Sequence, residues 1–226
     1  MNTTKQNFED KILFYGRRRG RKLSTSAKLA ISSGQKYIIK KDNFLNIFQE
    51  HKNIILEIGF GDGENLVNSA KNNSNFFYIG ADPFVNSTAK CLSKLLKFNL
   101  NNVVIWPDDI RKILYLFPQN SISEIKILFP DPWPKKKHIN RRLIQNDFLE
   151  KIHSIIKHKG TLTIATDHDL LKKWILEKFQ RYTEFEWIVE SSKDWRFRPH
   201  DCFQTKYEIK SIIQLRKPCW FTFKKK

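Results

Sequence analysis

The stretch Leu56-Glu57-Ile58-Gly59-Phe60-Gly61-Asp62-Gly63 ends a short apolar run, Ile54 to Ile58, and leads into a segment with helical spacing that begins at Glu64. Glycines at alternate positions let the backbone turn sharply and leave no Cβ between it and a ligand. A dinucleotide-binding fingerprint would be GxGxxG, with its third glycine at position 64, where this chain has Glu64. The spacing here is GxGxG, with an acid two residues before the first glycine. The loop is either a cofactor turn or a glycine-rich turn with no ligand, and the strand–loop–helix setting favours the first.

Outward from this loop the chain alternates. β-rich runs fall at Ile54 to Ile58, Phe76 to Gly80, Val103 to Trp106, Ile125 to Phe129 and Thr161 to Ala165. Helical spacing falls at Glu64 to Lys71, Val85 to Phe98, Ile110 to Leu116, Leu143 to Lys157 and Leu170 to Tyr182. This cadence predicts an α/β fold, an open and mostly parallel sheet with helices on both faces. Two further strand candidates, Phe185 to Glu190 and Lys206 to Ile212, bring the sheet to seven strands and suggest an antiparallel pair at one edge. Residues 41–226 form the predicted domain, and the charged, weakly periodic residues 1–40 are read as a basic N-terminal arm.

Ligands of such sheets bind beyond the carboxyl ends of the strands. Every predicted strand end there carries an acid: Glu57, Asp82, Asp108 with Asp109, Asp131 and Asp167. Asp82 lies 23 residues after Gly59, where Rossmann-type sites place an acid for ribose hydroxyls. It could also cap a helix. Asp109 is open to the same two readings, as a contact to an adenine edge or as a helix cap.

Lys plus Arg number 41 against 23 for Asp plus Glu, a formal net charge of +18. Such a surface attracts polyanions, nucleic acid first among them. The basic residues cluster in Arg17-Arg18-Arg19-Gly20-Arg21-Lys22 and in Lys135-Lys136-Lys137-His138 with Arg141-Arg142. No apolar run is long enough to span a membrane, and Met1 to Asp10 lacks the apolar stretch of a secretory signal, so a cytoplasmic protein is expected. Cys91, Cys202 and Cys219 are far apart and form no CxxC pair, and the six histidines are scattered, so no metal site is expected.

After the fourth strand comes Phe129-Pro130-Asp131-Pro132-Trp133-Pro134-Lys135-Lys136-Lys137-His138, then Ile139-Asn140-Arg141-Arg142-Leu143. Three prolines stiffen this loop and fix the direction of Asp131. Trp133 could stack on a substrate base or pack inward. A charge run joined to so rigid a turn reads as a substrate clamp.

The GxGxG spacing resembles the first motif of the Rossmann-like, class I methyltransferases. A cationic sulfonium needs no phosphate cradle and gains from nearby carboxylates. Phe-Pro-Asp-Pro-Trp followed by Lys and Arg-Arg-Leu resembles the signature of the bacterial tRNA (guanine-N7)-methyltransferases. Ala165-Thr166-Asp167 and Arg198-Pro199 with Thr205-Lys206-Tyr207-Glu208 fit the same family, and the likeness covers residues 50–213 or so.

This resemblance implies that the methyl donor is S-adenosylmethionine and the target the guanosine at position 46 in the tRNA variable loop. It assigns Glu57, Gly59, Gly61, Asp82, Asp109 and Asp131 to the cofactor, with Asp131 also catalytic. It assigns Lys135, Asp167, Thr205, Lys206, Tyr207 and Glu208 to the substrate. It places Lys137, His138, Arg141 and Arg142 at the tRNA, and the basic arm would add Arg17, Arg18 and Arg19. The second-strand acid departs from the pattern: it is Asp82, followed by Pro83, where the family more often has Glu.

Three rival readings remain. One is another RNA base methyltransferase, although enzymes acting on exocyclic amines commonly carry Asn/Asp-Pro-Pro-aromatic, not the Asp-Pro-Trp-Pro found here. Another is a non-catalytic RNA-binding protein on the same fold, against which the intact glycine loop and strand-end acids argue. The third is an NAD-dependent enzyme, which the glycine spacing disfavours. Monomer and homodimer are not distinguished.

Overall fold

The computed structural model describes residues 14–226, so Met1 to Asp10 and the rest of the arm's first thirteen residues lie outside the described residues. Seven strands form one sheet: β1 (Ile54–Ile58), β2 (Phe77–Ala81), β3 (Val103–Trp106), β4 (Ile122–Leu128), β5 (Ile156–Thr166), β6 (Phe185–Trp187) and β7 (Cys219–Lys225). Their spatial order is β3-β2-β1-β4-β5-β7-β6. The first five are parallel, and β7 runs antiparallel to both β5 and β6. The order reverses at β1, so the switch point lies between β1 and β4, beside the glycine loop.

All five residues of β1 are buried, as expected for a parallel strand covered on both faces. Alternation sends Ile54, Leu56 and Ile58 into one apolar layer and Ile55 into the other. The first layer packs under helix α5 (Asn146–Ile155) and helix α6 (Asp169–Arg181), through Phe148, Leu149, Ile152, Leu171 and Ile175. The second is covered by α1 (Thr25–Ser33), α3 (Glu64–Asn72) and α4 (Val85–Phe98), through Ala30, Leu66, Leu92 and Leu95. Each fully buried leucine contributes roughly 1.5–3 kcal/mol. Two short helices, α2 (Asn46–Glu50) and α7 (Lys193–Arg196), and α8 (Lys206–Ile213) complete the helices among the described residues. On the second face β1 and β4 turn polar, with Glu57 and Lys126 both buried.

Within the stretch 1–40, residues 14–24 carry no regular element, while α1 packs on α4. The Tyr37 hydroxyl donates to Leu95 O at 3.0 Å, and Ile39 N donates to Ile105 O at 2.9 Å.

The structure corrects several sequence expectations. Lys206 to Ile212 is not a strand but helix α8, capped by the Thr205 hydroxyl, which accepts from Glu208 N. The Thr-x-x-Glu spacing is a helix-start signal. The β-like appearance came from Ile209, Ile212 and Ile213, which are exposed, while Glu208 and Ser211 face inward. The antiparallel partner is Cys219–Lys225, nearer the C-terminus. Ile110 to Leu116 forms two 3-10 turns, Ile110–Lys112 and Leu114–Leu116, not one helix. The helix expected over Leu143 to Lys157 is shorter, and β5 starts directly after it at Ile156. The strand expected from Phe185 to Glu190 stops at Trp187.

Candidate active site

The glycine loop after β1 turns through three left-handed residues, with φ +80° at Gly59, +55° at Gly61 and +78° at Gly63. A Cβ placed on Gly59 would meet nothing within 4 Å, so this backbone faces open space. That space is a cavity of about 440 Å³, the size of a small-molecule site. Gly59, Asp82, Asp109, Asp131 and Tyr207 all line it, together with Phe14 to Arg17 of the arm.

Asp82 holds the loop in shape. One carboxylate oxygen accepts from Gly61 N and the other from Phe84 N, each at 2.8 Å. The cap position of α4 belongs to Phe84, so Asp82 is not the helix cap. Burial lifts its carboxyl up to about 6, against the opposing pull of the two backbone donors. Asp109 caps the 3-10 turn through Arg111 N at 2.9 Å, and forks with the Arg111 guanidinium at 3.0 and 2.6 Å. Its capping reading therefore stands in the structure, and a ligand contact would use its remaining lone pairs. Next to it, Asp108 ties Arg18 of the arm at 2.8 Å.

Glu57 does not line the cavity. It is buried beside the glycine loop, accepting from the Asn65 amide at 2.7 Å, and burial lifts it up to about 7. Asp131 differs from the other strand-end acids. No ion pair or hydrogen bond to its carboxylate is found among the described residues. It is open at the cavity rim, yet enough protein surrounds it that burial raises it above the usual aspartate range.

The loop carrying Asp131 is held by strain and by Arg142. Phe129 and Trp133 adopt φ of +56° and +41°, costly for bulky residues and maintained only where the surroundings dictate them. Phe129 N is fixed to Ala165 O at 2.8 Å. Arg142 is buried, donates to Pro132 O and Trp133 O at 3.0 and 3.3 Å, and stacks on Trp174. It points inward, unlike its exposed neighbours Lys135 and Lys137. Arg141 is sandwiched between Trp133 and Tyr15, 5.2 and 4.6 Å from the ring centres. The Trp133 ring also meets the edge of His138.

The Thr205–Glu208 motif divides by direction. Tyr207 reaches the cavity, and a Cβ on Gly61 would lie 3.2 Å from its ring. Lys206 pairs with Asp62 of the glycine loop at 2.7 Å. Thr205 and Glu208 are buried, one capping α8 and the other paired with Arg198 at 3.2 Å. Asp167 stands apart from the cavity, ion-paired with Arg216 at 3.0 Å. Arg17 borders the cavity, and Arg19 is exposed.

Asn65, Lys126, Arg111 and Tyr15 enter this site without a sequence signal. None belongs to a motif; Asn65, Lys126 and Tyr15 matter through partners distant in sequence, and Arg111 through Asp109 two residues away.

The residues fit a nucleoside-bearing cation: a glycine backbone open to the cavity, and carboxylates on its rim. Among the described residues no cluster of His, Cys, Asp and Glu forms a metal-binding group. No helix among them is long and apolar enough to cross a membrane.

Residues 51–221 match the family described as "Putative methyltransferase". A tRNA (guanine-N(7)-)-methyltransferase of Agrobacterium fabrum is 35% identical over 217 residues, covering 93% of this chain and 94% of its own length. One from Hyphomonas neptunium is 37% identical over 215 residues, covering 93% and 98%. Among solved structures, the 16S rRNA methyltransferase KamB superposes with a TM-score of 0.60 at 11% identity, covering 83% of this chain and 94% of that one. A 16S rRNA (adenine(1408)-N(1))-methyltransferase from Catenulisporales acidiphilia, solved with its cosubstrate SAM, gives a TM-score of 0.54 at 14% identity, covering 83% and 91%. At these identities the structures share the fold alone.

Proposed function

The chain belongs to the family of the tRNA (guanine-N(7)-)-methyltransferases, and on that premise we propose that it transfers the methyl group of S-adenosylmethionine to N7 of the guanosine at position 46 in the tRNA variable loop. The observation that carries the reading is the Asp131 carboxylate, unpaired among the described residues on the rim of a cavity lined by Gly59.

When bound, S-adenosylmethionine supplies an electrophilic methyl group carried on a sulfonium. Guanine N7 already has a lone pair, so the protein needs no general base to create the nucleophile. It must hold N7 in line with the methyl carbon, about 3–3.5 Å away, and tolerate positive charge moving onto the purine. Asp131 serves both ends: its oxygens accept from guanine N1–H and the exocyclic amine, and its charge opposes the developing cation. Burial raises its carboxyl above the usual aspartate range, which makes it a better hydrogen-bond acceptor than a fully solvated aspartate.

Gly59 and Gly61 let the cofactor approach the backbone, and Asp82 takes the ribose hydroxyls with its remaining lone pairs. With the cofactor bound, Asp109, steadied by Arg111, would serve its adenine, and Glu57 would contribute negative potential toward its cationic end. Lys135 and Tyr207 border the incoming base, while Lys206, Thr205 and Glu208 hold Tyr207 in place. Lys137, His138, Arg141, Arg17 and Arg19 contact tRNA phosphates, and Asp167 acts at the outer margin of the substrate. The protein works in the cytoplasm, where its tRNA substrate is.

The test is to incubate the purified protein with labelled S-adenosylmethionine and an unmodified tRNA transcript and to digest the RNA to nucleosides. Label in 7-methylguanosine supports the reading. Label in another nucleoside, or tight tRNA binding without transfer, contradicts it.

A further inference from the structure

The chain from Asp201 to Tyr207 lies against the glycine loop and is pinned to it from several sides. Asn65, in the first turn of α3, is 1% exposed and uses both ends of its amide. Its NH2 donates to Glu57 Oε2 at 2.7 Å, and its oxygen accepts from Phe203 N at 2.7 Å, 138 residues away in sequence. Only an amide in this orientation serves both partners. Glu57 offers acceptors, the Phe203 backbone offers a donor, and a flipped amide would oppose like to like at both contacts. Two residues beyond Phe203, Thr205 caps the helix whose Tyr207 ring lines the cavity. From the sheet side, Lys126 Nζ holds Asp201 through its carbonyl and carboxylate oxygens, each at 2.8 Å.

We propose that Asn65 is a positioning residue that couples the cofactor side of the site, through Glu57, to the substrate-facing segment Phe203–Tyr207. The inference rests on the methyltransferase reading above. A cationic ligand beside the glycine loop favours the ionised form of Glu57, which accepts more strongly from Asn65 and holds Phe203 more firmly. The coupling is reciprocal: whatever orders Phe203–Tyr207 also favours the ligand. Glu57 feels Lys126 from β4, Glu64 and Asp82 beside the loop, Cys91 from α4 and Cys202 from the pinned segment, so its charge is sensitive to what binds there.

Asn65→Asp tests this with almost no change of shape. The introduced carboxyl still accepts from Phe203 N, but it can donate to Glu57 only when a proton is shared between the two acids. The readouts are hydrogen exchange of the 201–208 amides with and without S-adenosylmethionine, whose sulfonium supplies the positive charge, and kcat/KM for tRNA from pH 6 to pH 8. In the wild type, S-adenosylmethionine should slow exchange at Phe203. In Asn65→Asp near pH 8 that slowing should vanish and kcat/KM should fall about tenfold, the scale of a modest coupling. Near pH 6 both should recover toward wild-type values, which a merely destabilised protein would not show. Wild-type exchange and kcat/KM at both pH values would overturn the proposal. If Asn65→Asp does not fold, Asn65→Ser, too short to bridge both partners, should lose the ligand-dependent slowing, and retention of it would overturn the proposal. A wild type that makes no 7-methylguanosine would refute the functional reading, while ligand-dependent slowing lost in the variant would still support the coupling.

Discussion

The carboxylate of Asp82 accepts a 2.8 Å hydrogen bond from Gly61 N, tying the tip of β2 to the loop that follows β1. Its second oxygen takes Phe84 N, two residues along, a reach that suits the short aspartate arm. Asp82→Ala leaves both donors without their partner. We expect a stability loss of about 2 kcal/mol and a melting temperature lower by about 4–8 °C. Binding of S-adenosylhomocysteine should weaken at least about tenfold, the effect of roughly 1.4 kcal/mol. Calorimetric titration and thermal melts check both, and unchanged affinity would remove Asp82 from the cofactor site.

Glu57 gives the pH dependence a definite sign. Folding lifts its pKa to about 7, so the folded chain holds that proton more tightly than the unfolded chain. The favourable contribution is complete below the unfolded value and is lost as pH rises toward 7. Glu57→Gln removes the buried charge and keeps an acceptor for Asn65. The stability of Glu57→Gln relative to wild type should therefore grow between pH 5 and pH 8, by about 2–3 kcal/mol. Denaturant unfolding at the two pH values measures this, and a shrinking difference would contradict it.

Arg142 and Lys137 stand five residues apart and should fail differently. Arg142 is buried and spends its donors on Pro132 O and Trp133 O, so Arg142→Ala should loosen the strained loop and lower kcat. Lys137 is exposed, so Lys137→Ala should weaken tRNA binding and reduce the salt slope of log K by about 1. Binding titrations at several salt concentrations separate the two, and a reduced slope in Arg142→Ala would place that residue at the phosphates instead.

Asp131→Asn keeps size and polarity while removing the charge. Turnover should fall about 10²–10³-fold, as when one transition-state contact is lost. Affinity for S-adenosylhomocysteine should change less than threefold or so, since Asp131 sits at the rim. Single-turnover kinetics beside calorimetry decides this, and a wild-type rate in the variant would deprive Asp131 of any catalytic role.

Much of this site could be read from the chain. Gly59-x-Gly61 after an apolar strand located the switch point, because a backbone that must turn beside a ligand leaves a local mark. Asp131 was legible because prolines and a basic run surround it. Helix α8 looks like a strand in sequence because its exposed face carries Ile209, Ile212 and Ile213, the reverse of ordinary amphipathic patterning. Arg142 resembles its neighbours in sequence, and the Trp174 ring together with Pro132 O and Trp133 O turns it inward. Asn65 could not be found from sequence at all, since its role depends on Phe203, which folding alone brings to it.

The proposed reaction methylates one atom of one nucleotide. The most direct measurement uses two synthetic tRNAs, one with guanosine and one with 7-deazaguanosine at position 46, each incubated with labelled S-adenosylmethionine and the protein. Label is expected in the first, as 7-methylguanosine, and none in the second. Equal labelling of both would contradict that reaction.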